Sequence, residues 1–286
     1  MWDADKPTLK AWPNGARIAV MVTVLYEAWS DGEVPTHSPM VLASPLRPGT
    51  PDLQGVSWAE YGGKTGVWRI LDILARWGIQ ATFCTSARAV ECYPASIEAI
   101  HAAGHEVAAH AYVQDDVMPY LSLEQEIELI DRCTDTIAGA VGQRPTGWIS
   151  PRATATPHTA GLLAQRGYRW HGDYNDTDLP YVLNTPAGSL VALMHSDFTD
   201  IRVIRGSPRD FLDVHRDSFD FLYNSSKPEI VNLSLHTHFG GRPVIASMFA
   251  QILDYFRRFD RVWFARHDEL ADWIRSASAA LPAGRG

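Results

Sequence analysis

The feature that most constrains this sequence is a repeated alternation of short apolar segments with amphipathic helical segments. Residues 17–27 form an apolar, β-branched run after an Asn-Gly pair, which is typical of a buried strand. Residues 65–77 carry apolar side chains at helical spacing, and the following Gly78 favours a helix end there. The alternation continues with strands predicted at residues 79–85, 105–112, 146–150, 189–194, 230–236 and 261–265.

Strands that alternate with helices are joined by crossovers, and they therefore run parallel. Seven or eight such strands predict one α/β domain, spanning residues 1–286, folded as an irregular (β/α) barrel. A doubly wound open sheet is the alternative, and both arrangements place a functional site at the carboxyl ends of the strands. Two segments lie outside the pattern. They are a proline-rich loop at residues 30–55 and a tail at about 277–286 that we expect to be frayed.

Two of the predicted helices have clear start signals. Ser122 and Gln125 form a capping box ahead of a helix over residues 122–141. Pro157 stands where proline is favoured, at the first position of a helix that Gly167 ends. These signals place two helices between predicted strands, as a parallel barrel requires.

Composition and charge exclude several classes of protein. Apolar residues make up 46% of the chain, too many for a disordered protein, and no apolar run is long enough to span a membrane. A formal net charge of −8 without a basic run argues against a nucleic-acid or membrane-surface partner. The first residues lack the apolar core of a signal peptide, so we expect a cytoplasmic protein.

Three motif-like features lack the spacing that their chemistry needs. Gly-Gly-Lys-Thr-Gly at residues 62–66 is similar to the end of a phosphate-binding loop, but Trp58 stands where that loop needs its first glycine. His105 and His110 are five residues apart, so on a strand they face opposite sides and cannot ligate one metal together. The three cysteines show neither metal nor disulfide spacing.

Side chains suited to hydrolysis stand at four of the predicted strand ends. They are a carboxylate, imidazoles and a guanidinium, namely Glu27, His110, Arg152, His236 and His238. A base or a metal can activate water, a cation can stabilise an oxyanion, and an acid can protonate a leaving nitrogen. The set therefore predicts hydrolysis of an amide or an ester.

Each of these residues also has an ordinary structural interpretation. A strand-terminal carboxylate often turns to solvent, a lone histidine is more often structural, and an arginine after a proline turn is often a surface residue. If their strands stay extended, His110 shares a face with Gln114, and His236 and His238 share a face with Ser234. Two histidines at the mouth of a buried strand favour a functional role, and the sequence leaves open which of them acts.

Longer segments around these residues resemble the polysaccharide deacetylase (NodB-homology) superfamily, from about residue 17 to residue 274. The combination of Gly-His-Glu-Val-Ala-Ala-His at 104–110 with Leu-Ser-Leu-His at 233–236 is specific. Further matching segments lie at residues 24–27, 144–148, 240–243 and 262–273.

The resemblance implies a deformed (β/α) barrel and hydrolysis of a carbon–nitrogen bond other than a peptide bond. Typical members hold a metal with an aspartate after the first strand and two histidines four residues apart. Here Glu27 takes the aspartate position, His110 matches the first histidine, and Gln114 replaces the second. The resemblance implies catalytic roles for Glu27, His236 and Arg152. Zinc or another divalent metal, if one binds, would use Glu27, His110 and His238, and a metal-free site is the alternative.

These departures resemble the intracellular small-molecule branch of the superfamily, which includes cofactor-independent allantoinases and cyclic-imide hydrolases. That branch shares Tyr-Glu at the first motif and Asp-x-Asp-Leu-Pro-Tyr, which stands here at residues 176–181. The resemblance implies a small-molecule amide, imide or ureide substrate, and we expect a homo-oligomer. Expected substrate-binding residues are Tyr26, Trp29, Gln114, Trp148, Asp178 and His195.

Two other functions stay open at this stage. One is N-deacetylation of peptidoglycan or another polysaccharide, as in other members of the superfamily. The other is a non-catalytic carbohydrate-binding relative, because the second metal histidine is missing at Gln114. Any turnover of a cyclic ureide or imide would exclude a pure binding protein.

We predict that Glu27→Gln lowers kcat by on the order of 10²-fold or more, because the amide keeps the size of the side chain but cannot accept a proton. Steady-state kinetics of the purified variant test this. Turnover near that of the wild type would show that Glu27 is not the essential carboxylate.

Overall fold

The computed structural model describes residues 3–5 and 9–279 of the chain. Its strands are β1 (Asp3–Asp5), β2 (Ile18–Tyr26), β3 (Thr82–Thr85), β4 (Glu106–Ala109), β5 (Gly147–Trp148), β6 (Trp170–Tyr174), β7 (Tyr181–Thr185), β8 (Gly188–Met194), β9 (Glu229–His236) and β10 (Val262–Ala265). The seven predicted strands are all present. Five are one to three residues shorter at one or both ends, and β8 and β9 each begin one residue earlier than predicted.

The helices fill the connections between these strands. They are α1 (Pro39–Ala43), α2 (Leu53–Tyr61), α3 (Val67–Trp77), α4 (Ala87–Cys92), α5 (Pro94–Ala102), α6 (Leu123–Val141), α7 (Thr159–Gln165), α8 (Asp200–Val203), α9 (Arg209–Tyr223), α10 (Thr237–Gly240), α11 (Pro243–Phe256) and α12 (His267–Ala279). A π-helical turn, Gly62–Gly66, joins α2 to α3.

All ten strands belong to one sheet in the order β1-β7-β8-β6-β5-β4-β3-β2-β10, with β9 also paired to β2. Residues 18–25 of β2 pair with β9, so β10 and β3 share the other edge of β2, one at each end. Within the described residues eight strands run parallel, and only β7 and β1 are antiparallel to their neighbours. This confirms the predicted deformed (β/α) barrel.

The curled sheet is not closed by a ladder between β8 and β9. Both edges of β8 are already used, by β6 and β7. Across the gap, the Asn232 amide donates to the Met194 carbonyl at 3.1 Å. The barrel therefore has a seam here, held by side chains instead of backbone hydrogen bonds.

Side-chain alternation along β2 divides the core into two parts. Ile18, Val20, Val22, Val24 and Tyr26 belong to the apolar cluster that also contains the α3 and α11 residues. Residues 19, 21 and 25 belong to a second cluster inside the barrel. Every residue of β2 is buried because both faces of a barrel strand are covered. By the same alternation, residue 27 points into the barrel mouth.

The helix start signals have mixed outcomes. The capping box at α6 is confirmed, because Gln125 N–H donates to Ser122 Oγ and the Ser122 N–H donates to Gln125 Oε1. The prediction that Pro157 opens a helix is wrong. Helix α7 begins at Thr159, and the Thr159 hydroxyl accepts from the Thr156 N–H at 2.8 Å, which holds Pro157 in a turn.

The predictions for the two irregular segments are also wrong in part. The loop at residues 30–55 contains α1, and α2 begins inside it at Leu53, where Asp52 caps the helix by accepting from the Gly55 N–H. The tail expected to fray at residue 277 continues α12 to Ala279, and residues 280–286 lie outside the described residues. Within the described chain, every helix is too short or too polar to cross a membrane.

Glu106 ties α12 to the floor of the barrel. Its carboxylate accepts hydrogen bonds from Trp170 Nε1 at 2.8 Å, Thr82 Oγ1 at 2.8 Å and the Asp268 backbone N–H at 3.0 Å. Asp268 stands in the first turn of α12, where a carboxylate satisfies the free N–H groups of a helix start. The glutamate of the Gly-His-Glu segment is therefore a structural residue.

We predict that Glu106→Gln lowers the free energy of unfolding by about 1–3 kcal/mol, because one oxygen becomes an NH₂ group that faces hydrogen-bond donors. Urea unfolding monitored by circular dichroism tests this. The control is Glu98→Gln on the exposed side of α5, which should change stability little. Equal unfolding midpoints for both variants would contradict the role of Glu106.

Candidate active site

Four predicted residues meet at the carboxyl end of the barrel around the Glu27 carboxylate. Glu27 follows β2 directly and is 5% exposed. Its Oε1 lies 3.6 Å from His110 Nε2 and 3.7 Å from His236 Nε2, and its Oε2 lies 3.8 Å from His238 Nδ1. An ionised carboxylate is buried only where partners offset its desolvation. A carboxylate buried among three imidazoles is therefore a candidate active site.

His236 and His238 both reach Glu27, but not by sharing a strand face. Strand β9 ends at His236, and α10 begins at Thr237, so the expected extended conformation is wrong. The ring of His238 instead lies edge-on to Trp29 and Trp58, each at 5.1 Å between centroids. The two rings approach Glu27 from different elements, and their centroids are 5.4 Å apart.

A buried aspartate that sequence reasoning missed orients His236. Asp200 Oδ1 accepts from His236 Nδ1–H at 2.6 Å, and Asp200 Oδ2 accepts from the His236 backbone N–H at 2.9 Å. Asp200 is the first residue of α8 and is fully buried. A carboxylate on Nδ1 fixes the ring so that Nε2 faces the reaction site. The Thr199-Asp200 pair at a helix start was the only local signal, and many ordinary helices carry it.

His110 presents a free nitrogen lone pair to Glu27. Its Nδ1–H donates to the Ile149 carbonyl at 2.7 Å, so the neutral ring has an acceptor at Nε2. That Nε2 is buried and has no hydrogen-bond partner among the described residues. Two acceptors, His110 Nε2 and Glu27 Oε1, therefore face each other and can together hold a hydrogen-bond donor such as water.

The chain turns sharply after β4, which corrects the expected extended run from His110 to Gln114. The strand ends at Ala109, and Ala111 has φ of 55°. Tyr112 consequently leaves the site and hydrogen-bonds to Glu91 at 2.7 Å. Gln114 returns to the cavity, anchored by its backbone N–H to the Ala28 carbonyl at 2.8 Å.

Electrostatics keep Glu27 ionised and favour a protonated His236. Burial raises the pKa of Glu27, but the neighbouring imidazoles, His236 above all, outweigh burial and lower the pKa to about 2. Burial lowers the pKa of His236, but Asp200 and Glu27 outweigh it and raise the pKa above the ordinary 6.5. Burial dominates at His238 and holds its pKa well below 6.5. The site therefore contains an ionised Glu27, a His236 ring that favours the protonated form and a neutral His238 ring.

These groups line a cavity of about 240 Å³. The Ser30–Gly55 region contributes its cover, since Pro35, Thr36 and His37 all line the cavity, and His37 Nε2 lies 3.0 Å from His238 Nε2. Arg152 and Arg202 line the rim. Sequence reasoning missed His37 and Arg202, because neither lies on a predicted strand and their approach depends on loop closure.

Arg152 stands in a strained turn. Both Arg152 (φ 58°) and Ala153 (φ 54°) have the left-handed backbone conformation, which side-chain-bearing residues adopt rarely. The Ser150 N–H is fixed by Asp173 Oδ1 at 2.8 Å just before this turn. Such strain is retained where the surroundings hold it, often at functional sites. The turn places the exposed Arg152 side chain at the cavity.

Of the six predicted substrate-binding residues, three line the cavity and three do not. Trp29, Gln114 and His195 line it. Tyr26 and Trp148 are corrected to core residues, because Tyr26 bonds Ser96 at 2.7 Å on the helix-facing side of β2 and Trp148 is fully buried. Asp178 is also corrected, because it is exposed and lines a neighbouring cavity.

The predicted metal ligands Glu27, His110 and His238 are not brought into a coordinating arrangement. Within residues 3–5 and 9–279, no group of three or more His, Cys, Asp or Glu side chains is arranged to hold a metal ion. His238 directs Nε2 to His37, and Gln114, a neutral amide, stands where the resemblance expects the second histidine. These residues therefore do not fit the metal site that the resemblance implied.

The Gly-Gly-Lys-Thr-Gly segment has a packing role beside the site. It forms the π-helical turn Gly62–Gly66, which lies against α10. A Cβ added at Gly66 would lie 2.0 Å from the Thr237 carbonyl oxygen, and one added at Gly241 would lie 2.4 Å from Gly66 Cα. The two backbones therefore touch, and this contact sets the position of the turn between His236 and His238.

Comparison with known proteins identifies the class. A family model for polysaccharide deacetylase matches residues 58–171. The structure of PuuE allantoinase is 31% identical, with a TM-score of 0.84, over 96% of this chain and 94% of that one. The structure of a probable polysaccharide deacetylase from Pseudomonas aeruginosa PAO1 is also 31% identical, with a TM-score of 0.82, over 92% and 93%. A peptidoglycan deacetylase from Helicobacter pylori is 21% identical, over 76% of this chain and 86% of that protein.

The fold and the site thus define a barrel hydrolase of carbon–nitrogen bonds other than peptide bonds. The chain belongs to the polysaccharide deacetylase family, as the sequence motifs predicted.

We predict that Gly66→Ala displaces the turn at Thr237, because the added methyl group overlaps a backbone oxygen, and that it costs about 1–3 kcal/mol of stability. Thermal unfolding and ¹⁵N shifts of the His236 and His238 imidazoles measure the effect. The matched control is Gly139→Ala in α6, where a Cβ meets nothing within 4 Å, so stability should rise by up to about 1 kcal/mol. Unchanged imidazole shifts in a folded Gly66→Ala protein would contradict the positioning role.

Proposed function

We propose that this chain hydrolyses a carbon–nitrogen bond of a small cyclic amide, imide or ureide. The observation that carries the proposal is the cavity of about 240 Å³, at whose wall the Glu27 and His236 side chains lie. Pockets for drug-sized ligands are typically about 300–1,000 Å³, so this volume suits a single small ring. Trp29 and His37 supply flat aromatic walls for such a ring.

The cover from the loop at residues 30–55 favours a small substrate over a polymer. Pro35, Thr36 and His37 stand over the cavity, and His37 is held to His238 at 3.0 Å. These residues reduce the volume that is left for a substrate, which favours a single small ring over a polymer. The likeness to PuuE allantoinase over almost the full length of both chains supports the same interpretation.

Water activation would occur between Glu27 and His110. A water molecule that donates to Glu27 Oε1 and His110 Nε2 satisfies both acceptors and directs an oxygen lone pair into the cavity. As that oxygen adds to the substrate carbonyl carbon, Glu27 takes the water proton. Its low pKa makes Glu27 a weak base at first, so the second proton transfer matters.

His236 would supply the proton for the leaving nitrogen. Its raised pKa keeps Nε2–H available, and Asp200 holds the ring in place through Nδ1. Donation of that proton removes the positive charge beside Glu27, which raises the affinity of Glu27 for the water proton. Water addition and carbon–nitrogen cleavage are thus coupled through one charge pair. In a cyclic substrate the two products stay joined as one ring-opened acid.

The two arginines that line the cavity would stabilise the negative oxygen atoms that form on the substrate during hydrolysis. Arg152 and Arg202 line the cavity and carry permanent positive charges. A guanidinium near the tetrahedral oxyanion stabilises it, and the same group can hold the carboxylate formed on ring opening. This assignment keeps the catalytic role predicted for Arg152 and adds Arg202.

N-deacetylation of a polysaccharide is the second function to test, because the matching family model and the Helicobacter pylori relative carry that description. The test is a substrate panel of hydantoin, allantoin and succinimide against N-acetylglucosamine oligomers, with Glu27→Gln as the inactive control. Chromatography measures ring-opened acid, and an enzyme-coupled assay measures acetate.

We expect ring opening of at least one cyclic compound, without acetate release. We also expect the rate to persist in EDTA, because Gln114 and the site geometry do not complete a metal-ligand set. Acetate release without ring opening would overturn the proposal in favour of a deacetylase. Loss of activity in EDTA with recovery on added zinc would contradict the metal-independent part.

We predict a shifted pH profile in Asp200→Asn. Protonated His236 is the active form, so kcat/KM should fall as pH rises through the His236 pKa, which lies above 6.5. Removing the Asp200 charge removes the main influence that raises this pKa, so the fall should occur at lower pH. Asp213→Asn, an exposed change that does not line the catalytic cavity, is the control. An unshifted profile in Asp200→Asn would show that His236 is not the acid.

A further inference from the structure

A second cavity of about 590 Å³ opens at the seam between β8 and β9. Met194 and Asn232, whose hydrogen bond bridges the seam, both line it. His195 lines this cavity and the catalytic cavity alike, so the two share a wall. Its volume lies within the usual range for small-molecule sites.

The walls of the second cavity combine aromatic surface with negative charge. Phe198 is 54% exposed and Phe221 is 79% exposed, unusually high values for large apolar side chains. Asp178, Asp197 and Asp217 also line the cavity, and its described lining includes neither lysine nor arginine. Carboxylates and aromatic faces both attract cations.

A buried histidine provides an independent sign of a ligand. His215 lines the cavity and is 2% exposed. Its Nδ1–H donates to the Phe211 carbonyl at 2.8 Å, which leaves Nε2 as an acceptor, and burial lowers its pKa to about 4. That Nε2 has no partner among the described residues. A buried acceptor without a donor costs about 1–3 kcal/mol, so a donor group in the cavity would be favoured.

We propose that the second cavity binds an organic cation with an apolar body, such as an aryl- or alkylammonium compound. The ammonium group donates to His215 Nε2 and is attracted by the rim carboxylates, while its body packs on Phe198 and Phe221. A neutral ligand of the same shape lacks the attraction to the carboxylates, and an anionic ligand is repelled by them.

The two cavities are linked by an ion pair as well as by His195. Asp197 of the second cavity bonds Arg202 of the catalytic cavity at 2.6 Å. A cation that takes Asp197 as its partner releases Arg202 toward the catalytic cavity. The cation is therefore either a free effector or the charged arm of the substrate itself, and only the latter rests on the proposed function.

The test measures binding and does not require turnover. Calorimetry compares 2-phenylethylammonium with its neutral analogue 2-phenylethanol and with the anion 3-phenylpropionate at fixed ionic strength. We expect the cation to bind about tenfold tighter than the alcohol, and the His215 imidazole ¹⁵N signal to move on binding. The anion should bind most weakly.

Matched variants locate the site. Asp178→Asn combined with Asp217→Asn should weaken the preference for the cation, because only Asp197 then remains among the lining carboxylates. Asp213→Asn, an exposed change on the helix of Asp217 that does not line the cavity, should leave the preference unchanged. Equal affinity for the cation and the alcohol would overturn the proposal. It would also be overturned if no probe bound at concentrations about tenfold above a millimolar Kd. Competitive inhibition of ring opening by the cation would indicate a substrate arm, and inhibition or activation without competition would indicate an effector. Both patterns support the site.

Discussion

The buried Glu27 carboxylate is the constraint on which the rest of the site depends. An ionised carboxylate that is 5% exposed would be strongly destabilising alone, since its hydration is lost. Protonated His236 offsets this loss at 3.7 Å, and His110 and His238 surround the carboxylate at 3.6 and 3.8 Å, distances too long for direct hydrogen bonds. Glu27 and His110 both line the catalytic cavity, so a water molecule beside them can donate to Glu27 Oε1 and to His110 Nε2. The arrangement that stabilises the charge therefore also provides a place for the attacking water.

Three separate contacts hold the imidazoles around this charge. The Ile149 carbonyl fixes His110, Asp200 fixes His236, and His37 meets His238. Each contact also sets which nitrogen faces Glu27, and so determines which ring accepts and which ring donates. The close approach of Gly66 to Thr237 positions the turn that separates the last two histidines. Packing of this kind places reactive atoms more accurately than a flexible loop can.

The seam between β8 and β9 gives this barrel a second cavity beside the catalytic one. A closed barrel would present one mouth, whereas here two cavities share His195 and are connected by the Asp197–Arg202 pair. The catalytic cavity is small and its rim is basic, while the second cavity is larger and its lining is acidic. A ligand with separated charges would match this polarity, and the shared wall gives each cavity a physical route to influence the other.

The sequence by itself determined the barrel and the central residues of the site. Alternation along β2 sends Glu27 inward, and the strand ends at His110 and His236 follow from apolar runs, because such periodicities are local properties of the chain. Only the tertiary structure decided that Asp200 pairs with His236, that His37 covers the cavity, and that Trp148 is buried. Those contacts join segments far apart in sequence, as with His37 and His238, 201 positions apart. Local patterns specify the face on which a side chain lies, but closure of the whole sheet decides what that face meets.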